Sequence, residues 1–225
     1  ILITHKLKEI MEIADTCTII RRGKVIESVT VKDTNPQELA EKMVGKAVNF
    51  KTEKQPANRT QVLLEAKDLV VVDRNGKHVL NHISFSLHAG EIVGIAGVDG
   101  NGQTELIESL TGMQSVNSGD ILLKGKSIVN HTPRNISESG VSHIPQDRHK
   151  HGLVLDFSVS ENTILQTYHH PEITKRGFIN VKARDDMATR LVKEFDIRTP
   201  GIDTRVGSMS GGNQQKIIIA REIDK

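Results

Sequence analysis

Aromatic residues are scarce: five Phe, one Tyr and no Trp in 225 residues. Any core must therefore be aliphatic, and stacking platforms for single-stranded nucleic acid are poorly supplied. Cysteine is scarcer still. Cys17 alone allows neither an internal disulfide nor a cysteine-based zinc cluster, and a reducing compartment is the simplest setting. An excess of one charge is also missing: 30 Lys and Arg stand against 28 Asp and Glu, a formal net charge of +2. Such a balance gives no bulk field to gather nucleic acid or an anionic membrane. The longest apolar runs, Ile92 to Val98 and Ile217 to Ala220, fall far short of the roughly 20 residues a membrane span needs. What is present is ordinary for a globular chain, with 36% hydrophobic and 26% charged residues, enough to bury a core in one large domain or two smaller ones.

The chain opens on Ile1 in an apolar run and stops at Asp224-Lys225 inside a helical pattern, so both ends are expected to be cuts through something longer. Residues 1–45 read as a small unit: a helix from Lys6 to Ala14, then strands Cys17 to Ile20 and Lys24 to Val29 joined by Arg21-Arg22-Gly23. Asn35-Pro36-Gln37-Glu38 offers an N-cap, a proline in the first turn and a glutamate at the third position, and Gly45 stops the helix. Residues 46–60 are polar and without apolar period, which predicts a linker.

From Gln61 the pattern restarts. Strands are expected at Val62 to Leu64, Leu69 to Val72 and Val79 to Leu87, with an Asn75-Gly76 turn. The β-branched run Glu91 to Val98 is expected as a fully buried parallel strand, followed by a glycine loop and a helix. A hairpin spans Asp120 to Val129, a helix lies near Pro133 to Ser139, and a further strand is expected at Val141 to Ile144. Helices dominate afterwards, with Met187, Leu191 and Phe195 spaced four apart on one face. This alternation predicts an α/β fold with a mainly parallel sheet.

Two loops carry the chemistry. Gly97-Val98-Asp99-Gly100-Asn101-Gly102-Gln103-Thr104 matches the phosphate-loop template GxxxxGK followed by Ser or Thr at every position but the lysine. Its glycines let backbone N–H groups converge on phosphate oxygens at a helix N-terminus, and Thr104 is placed to ligate magnesium. Gln103 cannot set a positive charge beside the β- and γ-phosphates, where it would help neutralise the transition state of phosphoryl transfer. Taken alone, the segment also fits an ordinary tight strand-to-helix connection. The second loop, Ser208 to Lys216, places Ser210-Gly211-Gly212 at the start of the apolar helix that includes Ile217 to Ala220. Between them Gln146, after an expected strand, offers an amide to a metal or an attacking water.

A phosphate loop, a glutamine after a strand and SGGNQQ before a helix, in that order, resemble the nucleotide-binding domain of ATP-binding cassette (ABC) transporter ATPases. The resemblance covers residues 61–225 as most of one cassette, with Gly97 to Thr104 like its Walker A loop, Gln146 like its Q-loop glutamine, and Ser210, Gly211, Gly212 and Gln214 within its signature motif. Residues 1–45 then look like the end of a preceding cassette, because Ile3-Thr4-His5-Lys6, Ile13-Ala14-Asp15 and Arg22-Gly23-Lys24-Val25 fit a switch-histidine loop and closing strands. The resemblance implies a P-loop NTPase fold with a mainly parallel sheet, an antiparallel β subdomain and a helical subdomain. It implies ATP as ligand of Gly97 to Thr104, with Ser210, Gly211, Gly212 and Gln214 also contacting nucleotide. It implies Mg2+ on Thr104 and Gln146, and catalytic roles for His5 at a γ-phosphate and for Gln146. A Walker B strand with its glutamate is expected after Lys225. Partners implied are transmembrane permease subunits, an extracellular solute-binding protein and the other cassette in head-to-tail pairing, with no nucleic acid, at the cytoplasmic face of the membrane.

Tandem cassettes, a short linker, the altered loop and the string Asp147-Arg148 to Gly152-Leu153-Val154-Leu155 with Ser160-Glu161-Asn162 look like importers of ribose- or galactose-type sugars and of nucleosides, and Gln103 leans toward the nucleoside group. Two alternatives stand beside this: a tandem-cassette ATPase acting on ribosomes, and a regulatory cassette that binds nucleotide without turnover. His143, His149, His151, His169 and His170 lack the spacing and carboxylates of a zinc motif. Arg148, Lys150, Lys175 and Arg176 read as mild basic spots, and Cys17 as packed and inert.

Overall fold

The computed structural model describes residues 1–49, 56 and 59–225, and the chain divides into two units, Ile1–Pro56 and Ala57–Lys225. Part of the expected linker, residues 50–55, 57 and 58, lies outside the described residues. In the first unit, α1 (Leu7–Ile13) precedes the antiparallel pair β1 (Thr16–Arg21) and β2 (Lys24–Thr30), and α2 (Pro36–Val44) follows. The hairpin closes through Arg22 and Gly23 at φ 52° and 75°, a left-handed pair whose twist suits two-residue turns. The ends of α2 are set locally. The Asn35 side chain accepts the Glu38 N–H at 2.9 Å, Pro36 fills the first turn, and Gly45 takes φ 82° beyond the last residue. Ile10, Ile19, Val31 and Leu39 form an aliphatic core, with Cys17 half-buried beside it.

The second unit opens with β3 (Val62–Val72) and β4 (His78–His88), joined by a turn in which Asp73 Oδ1 accepts the N–H groups of Asn75 and Lys77 at 2.8 and 2.9 Å. With β5 (Ser118–Leu123) and β6 (Lys126–Ser127) they make a four-stranded sheet of order β4-β3-β5-β6, antiparallel throughout. Where two short strands were expected, β3 is one strand bent by a register shift between Ala66 and Leu69, with Asp68 at φ 52° and its N–H on Ser84 Oγ at 2.8 Å. Ala66, Leu69, Val71, Leu80 and Ile121 pack under α3 (Gln103–Leu110) and α4 (Pro133–Glu138) through Leu106 and Ile136. A second core joins α5 (Val159–Thr163), α6 (Val181–Glu194) and α7 (Gly211–Asp224), where Val159, Leu191, Val206, Ile217 and Ile218 are buried. Met187 and Phe195 pack against it from the face that their spacing predicted. A small antiparallel pair, β7 (Thr174–Lys175) and β8 (Phe178–Ile179), precedes α6.

The mainly parallel sheet is corrected for the described residues, in which every ladder is antiparallel. The strands expected at Glu91 to Val98 and Val141 to Ile144 are irregular chain without ladder partners. Ile92 and Val98 are 78% and 75% exposed, whereas a parallel strand is covered on both faces. The physical reason is pairing. A chain segment becomes a strand only when its N–H and C=O groups find a neighbour, and none of the described strands pairs with these two segments.

Candidate functional site

The glycine loop Gly97 to Thr104 is held at Gly102 by β4. Gly102 caps α3 at φ 98°, and a Cβ there would stand 2.6 Å from the carbonyl oxygen of Val79, so only glycine fits. Gly102→Ala is expected to cost about 1–3 kcal/mol of stability, read as a lower midpoint in urea unfolding. The Gln103 side chain folds back across the loop. Its amide donates to the Val98 carbonyl at 3.2 Å and lies where a Cβ on Gly97 would approach to 2.1 Å. Val98, Asp99, Gly100 and Asn101 are exposed along the loop, with Gly100 at φ 83°.

Facing the loop is the segment His143 to His151, and the two enclose a cleft of about 1030 Å³ lined by Gly97, Asp99, Gln103, Thr104 and Gln146 among others. Thr104 and Gln146 are exposed in it, and neither side chain bonds another described residue. Below Gln146 the chain makes a five-residue π turn, Arg148–Gly152. Asp147 Oδ1 caps it by accepting the N–H groups of His149 and Lys150 at 2.9 and 3.1 Å, and these bonds, Lys150's foremost, hold the carboxyl below its usual pKa. His143 is pushed below the usual imidazole value, chiefly by burial, which favours its neutral form.

The head of α7 reaches the same segment. Ser210 is its N-cap, exposed, and accepts from Asn213 Nδ2 at 3.0 Å. Gly211 is packed by the Arg148 guanidinium, 2.7 Å from where a Cβ would lie, and Gly212 faces open space. Gln214 turns inward and is 3% exposed. Its amide donates to the Val206 carbonyl at 3.0 Å and accepts from Arg148 Nε at 3.2 Å and His149 Nε2 at 2.9 Å. Gln214 thus braces α7 against the π turn. Sequence reasoning missed that brace; the adjacent glutamines Gln214 and Gln215, only one of which can face inward on a helix, were the available signal.

The cleft therefore gathers the loop and Gln146, and Arg148 and His149 link it to Ser210, Gly211 and Gly212 through Gln214. His5 is exposed just before α1 in the first unit. Among the described residues no three His, Cys, Asp or Glu side chains are grouped to hold a metal ion, and no helix is long and apolar enough to cross a membrane.

A family model described as ABC transporter matches residues 80–225. Over 225 residues the chain is 51% identical to the nucleoside import ATP-binding protein NupA of Lactococcus lactis subsp. cremoris (strain MG1363), all of this chain and 44% of that protein. Over 213 residues it is 54% identical to the guanosine import ATP-binding protein NupO of Bacillus subtilis (strain 168), 95% of this chain and 42% of that one. The chain thus spans less than half the length of these relatives. Its fold is similar to a solved nucleotide-free ATP-binding cassette from an ABC transporter, with a TM-score of 0.56 at 22% identity over 72% of this chain and 65% of the other.

Proposed function

Because the chain belongs to the ABC transporter family, we propose that it is part of the ATP-binding, ATP-hydrolysing subunit of an importer, with nucleosides as the cargo class and simple sugars as the neighbouring one. The observation that carries this reading is the shared cleft, in which a glycine loop at a helix N-terminus faces a free glutamine across a space large enough for a triphosphate. The loop's N–H groups and the start of α3 bind the phosphates. Magnesium fits the same cleft, since the Thr104 hydroxyl and the Gln146 amide both reach it as unengaged oxygen donors. When bound, the ion neutralises phosphate charge and orients the γ-phosphate.

The second loop supports a head-to-tail pairing with another cassette. There Ser210, Gly211 and Gly212 present a helix N-terminus to ATP held by the partner cassette's phosphate loop, and His5 is the γ-phosphate contact of the preceding cassette. With no lysine at Gln103, the site built on Gly97 to Thr104 mainly holds ATP and keeps the pair closed, while the site completed by Ser210 turns over. Residues 1–45 belong in this reading to the first cassette, and residues 61–225 to the second, whose Walker B strand follows Lys225. A permease anchors the subunit at the cytoplasmic face of the membrane, and an extracellular solute-binding protein delivers the cargo.

The test uses the full-length protein with its permease in vesicles loaded with ATP. Uptake of labelled guanosine with ATP turnover is expected, and labelled ribose is expected to give neither. Ribose uptake without guanosine uptake would overturn the cargo class. Turnover stimulated by ribosomes and indifferent to the permease would overturn the importer.

A further inference from the structure

The loop Gly97 to Thr104 lacks the cation that a triphosphate needs beside its β- and γ-oxygens, and Gln103 supplies an amide turned toward the Val98 carbonyl instead. Among the described residues two full cations line the cleft, Arg148 and Lys150, both on the wall opposite the loop. Arg148 is committed elsewhere: it is half-buried, donates from Nε to Gln214 and packs against Gly211. Lys150 is exposed, and its ammonium pairs with no described residue. Its backbone, by contrast, is fixed by the Asp147 cap at 3.1 Å, one step from the cleft-lining Gln146, so the base of a long flexible stem is anchored while its head stays free. The other cleft-lining charges are anionic, at Asp99, Glu108 and Asp147, and an ammonium without a partner among them is the group most strongly drawn to an incoming polyphosphate.

We propose that Lys150 supplies from the facing wall the phosphate-neutralising charge that Gln103 removes from the loop, making it a nucleotide-binding residue of this cassette for triphosphates carrying magnesium. The lysine has in effect moved from the helix start to the π turn. Binding of a triphosphate therefore draws the turn toward the loop and closes the cleft, a movement that a lysine within the loop would not require. Because the turn is braced to α7 through Gln214, the closure also reports on Ser210.

This inference rests on the proposed reading of the cleft as an ATP site, and the experiment separates the two. Hydrogen–deuterium exchange of peptides covering residues 97–110 in the full-length protein is followed as MgATP is titrated, which reads this loop alone. In the unaltered protein the loop is expected to become protected. Lys150→Gln is expected to move the midpoint at least tenfold higher, Lys150→Arg less than threefold, and Gln103→Lys combined with Lys150→Gln is expected to restore the midpoint to within threefold. An unchanged midpoint in Lys150→Gln overturns the role of Lys150. So does a weakened Lys150→Gln that Gln103→Lys fails to rescue, since the effect would then be structural and not one of charge. Absence of protection in the unaltered protein at any MgATP concentration overturns the ATP-site reading itself.

Discussion

Ser210→Arg in the full-length protein is expected to lower ATP turnover at least about 100-fold while leaving the unfolding midpoint nearly unchanged, whereas Gln103→Lys alters turnover less than about threefold. The head of α7 explains the size of the first effect. A 14-residue helix starts at Gly211, Gly212 faces open space, and the Ser210 side chain makes no capping bond to its own helix. Its first N–H groups are therefore unpaired donors at the positive end of a dipole, an arrangement that stabilises charge developing on a phosphoryl group. An arginine at the cap fills that space with a flexible cation and swings across the donors. Folding is spared because Ser210 is exposed and bonds only Asn213 among the side chains. Single-turnover and steady-state assays on the same preparations check both numbers. Turnover in Ser210→Arg equal to the unaltered protein would place hydrolysis elsewhere and remove the asymmetry between the two sites.

The elements that decide these outcomes were unequally legible in the sequence, and the division follows the range of the interactions. Helix α2 was readable because Asn35, Pro36 and Gly45 act within one turn of its ends, and the hairpin turns at Arg22-Gly23 and Asn75-Gly76 were readable for the same reason. The spacing of Met187, Leu191 and Phe195 found the buried face of α6 because helical periodicity is intrinsic to the helix. Glu91 to Val98 has the composition of a buried parallel strand, but composition cannot supply the neighbour that makes it one. The bend in β3 depends on Ser84, 16 positions away, and so escaped a local pattern. At the site, the turn shape at Gly100 and Gly102 was legible because positive φ is a local property that glycine alone adopts freely, and Gln146 lines the same cleft as Gly97 and Thr104. The inward turn of Gln214 was not, because its partners Arg148 and His149 lie 66 and 65 positions away.

The same reasoning locates the largest expected loss of stability, at a pair the sequence did not single out. Arg221 and Glu222 are 3% and 2% exposed near the far end of α7. Arg221 donates from Nη1 to the Asn162 carbonyl at 3.2 Å, from Nη2 to the Gly152 carbonyl at 3.0 Å and from Nε to Glu222 at 3.3 Å. Glu222 accepts in addition from Gln166 at 2.7 Å and from the His143 N–H at 3.1 Å, and Ser142 Oγ donates to its carbonyl at 2.6 Å. The pair thus ties α7 to α5, to the end of the π turn and to the wall of the cleft. Burial lowers the Arg221 pKa and Glu222 works against that shift, so the carboxylate stabilises the buried guanidinium. Glu222→Ala strands that charge and is expected to cost about 3–5 kcal/mol, read from urea unfolding at neutral pH. Arg221→Met leaves a carboxylate that still has Gln166 and Lys225 as donors, so its cost is expected to be smaller. The double variant Arg221→Met with Glu222→Leu is expected to unfold less easily than Glu222→Ala alone, because no unpaired charge remains buried. Costs of Arg221→Met and Glu222→Leu, measured singly, that simply add in their double variant would show that the two side chains act independently and that the anchoring of α7 lies in its apolar face, through Ile217 and Ile218.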